Sequence, residues 1–156
     1  MLSQARNHVA RQFMTTTHDW LWMVDTDVDF PPDTLARLVA AADPDTRPVI
    51  GALCHTLDSD GQPFATCYSV ERGKQPVVIP PAEDSLMRVD ATGCACLLVH
   101  RSVLAMMGNF PFAQVIEPGI EYSEDLSFCL RCQAMDIPIY VHTGIRVGHT
   151  KAVRLI

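Results

Sequence analysis

The chain has 156 residues, 48% of them hydrophobic and 19% charged, which is enough to bury the core of one domain. A net charge of −6 and a pI near 5.4, with no Lys/Arg cluster, argue against nucleic acid or an anionic membrane as the main partner. No segment has the ~18 uninterrupted apolar residues of a membrane span, and no signal-peptide apolar core is visible, so a cytoplasmic location is expected.

Residues 2–14 have the composition of a helix, with Val9, Phe13 and Met14 apolar and Arg6, Asn7, Arg11 and Gln12 polar. The run from Trp20 to Val24 then reads as a parallel-type strand buried on both faces, because it is continuously hydrophobic. It ends abruptly in Asp25-Thr26-Asp27-Val28-Asp29, followed by Phe30 and two prolines. From Asp33 to Ala42, Leu35, Leu38, Val39 and Ala42 recur at helical spacing, with proline just before and Asp43-Pro44 as the stop. Val49–Cys54 reads as a buried strand, and Ser59-Asp60-Gly61 as the turn of a hairpin whose second arm runs from Phe64 to Val70. Three prolines among residues 71–83 predict a loop holding one short strand, Val77–Ile79.

Arg88–Thr92, Gly93 and the apolar run to Val99 suggest two strands joined by a bend at the glycine. A helix is expected from Ser102 to about Met107. Residues 108–122 have glycines, prolines and aromatics without a period, which predicts a mobile loop acting as a lid. Ser123 is placed to cap a helix whose first turn holds Glu124 and Asp125, where the macrodipole favours negative charge. Leu126, Cys129, Leu130 and Ala134 form its apolar stripe, widened by Phe128, Cys132 and Met135. Two short strands, Ile137–Val141 and Ile145–Val147, flank Thr143-Gly144 and lead to Gly148-His149.

Six cysteines in a reducing compartment are read as thiols. Cys94 and Cys96 lie in a core-strand pattern and Cys129 and Cys132 in a helical one, whereas zinc knuckles present their cysteines from turns. Core thiols are therefore preferred over structural zinc.

The candidate chemistry lies at the ends of apolar elements. Alternation sends Asp25, Asp27 and Asp29 to one side if the chain stays extended, and three crowded carboxylates call for a hard divalent cation. An EF-hand is excluded, because its loop needs Gly and Glu where this chain has Phe30 and Ala36. Glu124 and Asp125 start a helix, and His149 follows a strand. His55 and His142 are weaker candidates, read as edge histidines.

Read in order, Trp20 to Phe30, Thr92-Gly93-Cys94, His100-Arg101, Glu121 to Arg131, Ile139-Tyr140-Val141 and Val147-Gly148-His149 resemble the catalytic half of GT-A glycosyltransferases similar to family 2. Ala5-Arg6-Asn7 looks like the helix preceding the Asp-x-Asp strand of that family. The resemblance implies an α/β fold: a partial GT-A, Rossmann-like mixed sheet flanked by helices, in a single domain over 1–156 that is truncated at its N-terminal side. It implies a metal-dependent transferase that moves a sugar from a nucleotide-sugar donor to an acceptor hydroxyl of a glycan, protein or small molecule, with inversion.

By the same resemblance Asp27 ligates Mn2+ or Mg2+, Asp25 binds the donor ribose or the metal through water, and His149 adds a ligand. Imidazole beside carboxylate tilts the choice to Mn2+. Asp125 matches the catalytic base. Glu124 orients the acceptor or the base, Arg131 steadies the helix or a phosphate, and Gly93 lets donor or acceptor approach the backbone. Only residues 1–19 precede the acidic strand, so the part that holds the nucleotide base is largely absent. A partner-completed or non-catalytic scaffold is the alternative, with a homodimer or a completing subunit at the open sheet edge. Val24-Asp25-Thr26-Asp27 also resembles the nucleophile motif of haloacid-dehalogenase-like phosphatases, but the lysine such enzymes need has only Lys74 and Lys151 as candidates.

Overall fold

The computed structural model describes residues 2–150. Four helices, α1 (Leu2–Met14), α2 (Thr34–Ala41), α3 (Arg101–Met107) and α4 (Glu124–Ala134), flank a five-stranded mixed sheet. Its strands are β1 (Trp20–Val24), β2 (Val49–Leu53), β3 (Leu86–Val89), β4 (Cys96–His100) and β5 (Ile139–Arg146). Their spatial order is β1-β4-β2-β5-β3. Only β2 and β5 run parallel; the other pairs are antiparallel. This is a mixed α/β fold, with the sheet between two apolar cores.

Alternation along the strands feeds both cores. Leu21, Met23, Val49, Leu97, Val99, Ile139 and Val141 face the core covered by α1, α3 and α4. Trp20, Trp22, Ile50, Leu98 and Tyr140 face the smaller one under Leu38 of α2. The hydrophobic run of β1 thus has a cause other than central burial in a parallel sheet. The strand lies at the edge, paired antiparallel with β4 from Trp20 opposite His100 to Val24 opposite Cys96, and Met23 alone among its five residues is fully buried. Periodicity does not separate these cases, since both faces are apolar in each.

The last part of the chain forms one strand, not two. β5 runs through Thr143-Gly144 with a register shift between His142 and Arg146. The irregularity reverses the side-chain parity: Ile139 and Val141 serve one core, Ile145 and Val147 the other. Gly144 allows this, because a Cβ there would stand 1.8 Å from Asp84 Oδ1. The chain then crosses to pair Gly148-His149 with Val28-Asp29.

The expected hairpin forms between His55–Leu57 and Pro63–Ala65, but its second arm breaks at Thr66, after which Cys67–Ser69 joins a small separate sheet. The expected lid at residues 108–122 is anchored instead. Phe112 is fully buried and stacks on Phe128 at 4.7 Å, with its N–H donating to Asn7 Oδ1. Val115 N–H donates to Ser127 Oγ, Arg131 donates to the Ala113 carbonyl, and the buried Tyr122 hydroxyl donates to the Lys74 carbonyl. Pro118 and Gly119, the latter at φ +81°, close a tight hairpin within it. Arg131 is therefore a tie for this segment. Among the described residues no helix is long and apolar enough to cross a membrane.

Candidate functional site

The carboxyl ends of β1, β2 and β5 lie at one end of the sheet, where open α/β sheets gather ligands. The acidic stretch does not stay extended there. Val28 N–H donates to the Asp25 carbonyl, closing a turn, so the three aspartates part company. Asp25 turns inward to Arg6, Asp27 pairs with His149, and Asp29 accepts from the Thr150 hydroxyl.

Arg6 is one of the polar residues of α1. It is buried along with Asn7, Ala10 and Phe13, while Val9 faces outward. The helix can bury Arg6 and Asn7 because each finds partners. One nitrogen of Arg6, Nη2, lies 2.9 and 3.0 Å from the two oxygens of Asp25, Nη1 donates to the Cys94 carbonyl at 3.1 Å, and Nε lies 3.5 Å from Glu124 Oε1. Burial opposes the guanidinium charge, but Cys94, Asp25 and Glu124 together hold its pKa above the ordinary value. Helical spacing alone offered one clue, since Arg6 shares a face with Ala10 and Phe13.

The second acidic pair divides in the same way. Glu124 faces Arg6, whereas Asp125 Oδ1 accepts from Ser123 Oγ and from Leu126 N–H at 2.8 Å. Ser123 occupies the N-cap position, yet its hydroxyl serves Asp125 and makes no cap hydrogen bond. Asp125 is half-buried and its charge acts on Tyr68, whose phenol is pushed up to about 12, first by burial and then by Asp125. The sequence carried no signal for Tyr68, which reaches this helix through the small side sheet.

A cavity of about 720 Å3 opens between α1 and β1. Leu2, Ala5, Val9 and Trp22 give it apolar walls, and Arg6, Asp25, Asp27 and His149 its polar end. Gly93 does not line it; a Cβ there would touch the side chain of Thr66 at 3.4 Å. Lys74 is paired on the surface with Glu71 at 2.6 Å, away from the cavity, and Lys151 lies outside the described residues. His55 is exposed, and His142 sits beside Arg37 and Asp84 rather than in the site.

For a divalent ion, the fitting pair is Asp27 and His149. His149 Nε2 is 3.0 Å from Asp27 Oδ2, a hydrogen-bond distance that is also close to the spacing of two neighbouring ligands on an ion with bonds of about 2.1 Å. His149 Nδ1 is buried without a hydrogen-bond partner among the described residues. Asp25 does not join them, and among the described residues no group of three or more His, Cys, Asp or Glu side chains is placed to hold a metal. Further ligands would have to come from substrate oxygens or water.

All six cysteines are buried and none forms a disulfide. Burial pushes the Cys94, Cys129 and Cys132 thiols up, the opposite of what nucleophilic use requires.

No protein-family profile and no curated protein matches the chain. Solved structures do: A197 from STIV, seen in its crystal structure, superposes with a TM-score of 0.67 at 15% identity, over 97% of this chain and 69% of that one. At that identity the likeness is one of fold, and the mixed α/β architecture is shared along almost the whole chain.

Proposed function

We propose that this chain is the catalytic part of a GT-A-type glycosyltransferase that moves a sugar from a nucleotide-sugar donor to an acceptor hydroxyl in the presence of Mn2+ or Mg2+. The observation that carries the reading is the contact of Asp27 with His149, residues 122 positions apart, in the lining of the cavity. Asp27 and His149 would hold the ion, which when bound neutralises charge developing on the nucleotide diphosphate. The apolar walls beside Trp22 offer a surface for the flat, weakly polar parts of a donor. Asp125, which does not itself line the cavity and has Oδ1 already engaged, would use Oδ2 to take the proton from the acceptor hydroxyl, and attack on the anomeric carbon opposite the leaving diphosphate inverts configuration. The open edge of β1 is where further chain or a completing subunit would dock to hold the nucleotide base.

The test is transfer from a panel of nucleotide-sugars in Mn2+, with Asp125→Asn alongside. The variant is expected to lose at least about a thousandfold in transfer while retaining Mn2+-dependent nucleotide binding. Equal loss of both removes Asp125 as the base. Nucleotide binding without transfer by the unmodified protein favours the scaffold reading.

A further inference from the structure

We infer that Arg6 is a positioning residue that locks the turn carrying Asp25 and Asp27 to the first turn of the helix carrying Glu124 and Asp125. Its guanidinium directs one nitrogen to each of three elements: Nη2 to Asp25 at the end of β1, Nη1 to the carbonyl of Cys94 just before β4, and Nε to Glu124 at the start of α4. These elements come from distant parts of the chain, and the side chain joining them is 9% exposed. A planar, permanently charged fork can serve three acceptors in fixed directions; a lysine ammonium cannot reproduce that plane.

The contacts are unequal. Those to Asp25 are close, at 2.9 and 3.0 Å, but Nε has no hydrogen-bond partner and its ion-pair distance to Glu124 is 3.5 Å. The Asp25 arm is therefore the fixed one and the Glu124 arm the adjustable one. Arg6 also lines the cavity, so material entering it meets the same side chain that sets the spacing of the two acidic pairs. Within the transferase reading, on which the catalytic part of this inference rests, Arg6 sets the distance between the metal pair Asp27–His149 and the base Asp125 without serving as ligand or base.

The lock has a signature that is independent of any activity. Glu124 belongs to α4, whereas the Val28 amide belongs to the acidic turn, bonded to the Asp25 carbonyl at 3.2 Å. Native-state hydrogen exchange is to be compared in the full chain, Glu124→Gln, Arg6→Met and the double variant. Glu124→Gln is expected to speed exchange at Val28 about tenfold, across the Arg6 bridge, and the double variant to exchange no faster there than Arg6→Met alone. Exchange changes confined to α4, or additive at Val28, overturn the lock. Should Arg6→Met fail to fold, Glu124→Gln alone decides, since it leaves the Asp25 contact in place. Where the unmodified protein transfers sugar, Glu124→Gln should lower kcat about tenfold and KM less than about threefold. A rise in KM at unchanged kcat makes Glu124 a substrate contact and overturns the assignment. Absence of transfer by the unmodified protein sinks the transferase reading and leaves the exchange result to decide the lock.

Discussion

The acidic turn after β1 and the acidic start of α4 are built to one plan. In each, the first carboxylate, Asp25 or Glu124, faces Arg6, and the later one, Asp27 or Asp125, has other partners. Adjacent acids that look equivalent in sequence therefore divide into one paired with the buried Arg6 and one that is not. The division follows from burial. A guanidinium inside the protein needs compensating charge, and the acids nearest to it supply that charge.

The sharpest way to break this comparison is to separate metal affinity from stability. Asp27 is half exposed, so Asp27→Ala should change unfolding free energy by no more than about 0.5 kcal/mol. It should nevertheless weaken Mn2+ binding by about a hundredfold or more, read by titration calorimetry, with His149→Ala weakening it less. Asp25→Asn should do the reverse: metal affinity within about threefold, but stability lower by about 1–3 kcal/mol, since the buried Arg6 loses its charged partner. Matching losses for Asp25 and Asp27 in both measurements would erase the distinction.

Gly144→Ala is expected to have a smaller effect, about 1–2 kcal/mol of stability, because the new methyl meets Asp84 Oδ1. Its value lies in the metal titration: a weakened Mn2+ affinity would show that the irregular part of β5 sets the position of His149. The smallest effect concerns pH. Burial, then Arg37, lowers the pKa of His142 below the ordinary 6.5, so the unfolded chain takes up the proton first. Stability contributed there is complete above pH 6.5 and declines as the pH falls below it toward the folded value. Denaturant midpoints of His142→Gln should show a flatter profile over that window, whereas a change confined to higher pH would point to another group.

Much of the scaffold was legible because apolar spacing is a local property. Leu38 in α2, Val49–Leu53, Cys96–Val99 and Phe128, Cys129, Leu130 and Cys132 of α4 occupy the core positions their periodicity implied, whereas Leu35 and Val39 of α2 and Ala134 and Met135 of α4 are exposed. The positions that escaped depend on distant partners. Nothing near Arg6 in the chain announces that Asp25, Cys94 and Glu124 will gather round it. Residues 108–122 lack any period, but their anchors are Asn7, Ser127, Arg131 and the Lys74 carbonyl, all outside the segment or far from it. At the candidate site, the family resemblance linked Asp27 with His149, which are in contact, while the turn that withdraws Asp25 rests on one backbone hydrogen bond from Val28.

The irregular register in β5 also makes this strand a reading frame in space. Upstream of it, odd-numbered residues address the α4 side of the sheet; downstream, they address the α2 side. Deleting one residue between Thr143 and Arg146 would act as a spatial frameshift. Ile145 and Val147 would exchange faces with their neighbours, and His149 would arrive one step out of phase with Asp27. A sequence change that leaves every site residue in place could thus disconnect the site, which makes the spacing from Ile139 to His149 as informative in a related chain as the identity of the histidine itself.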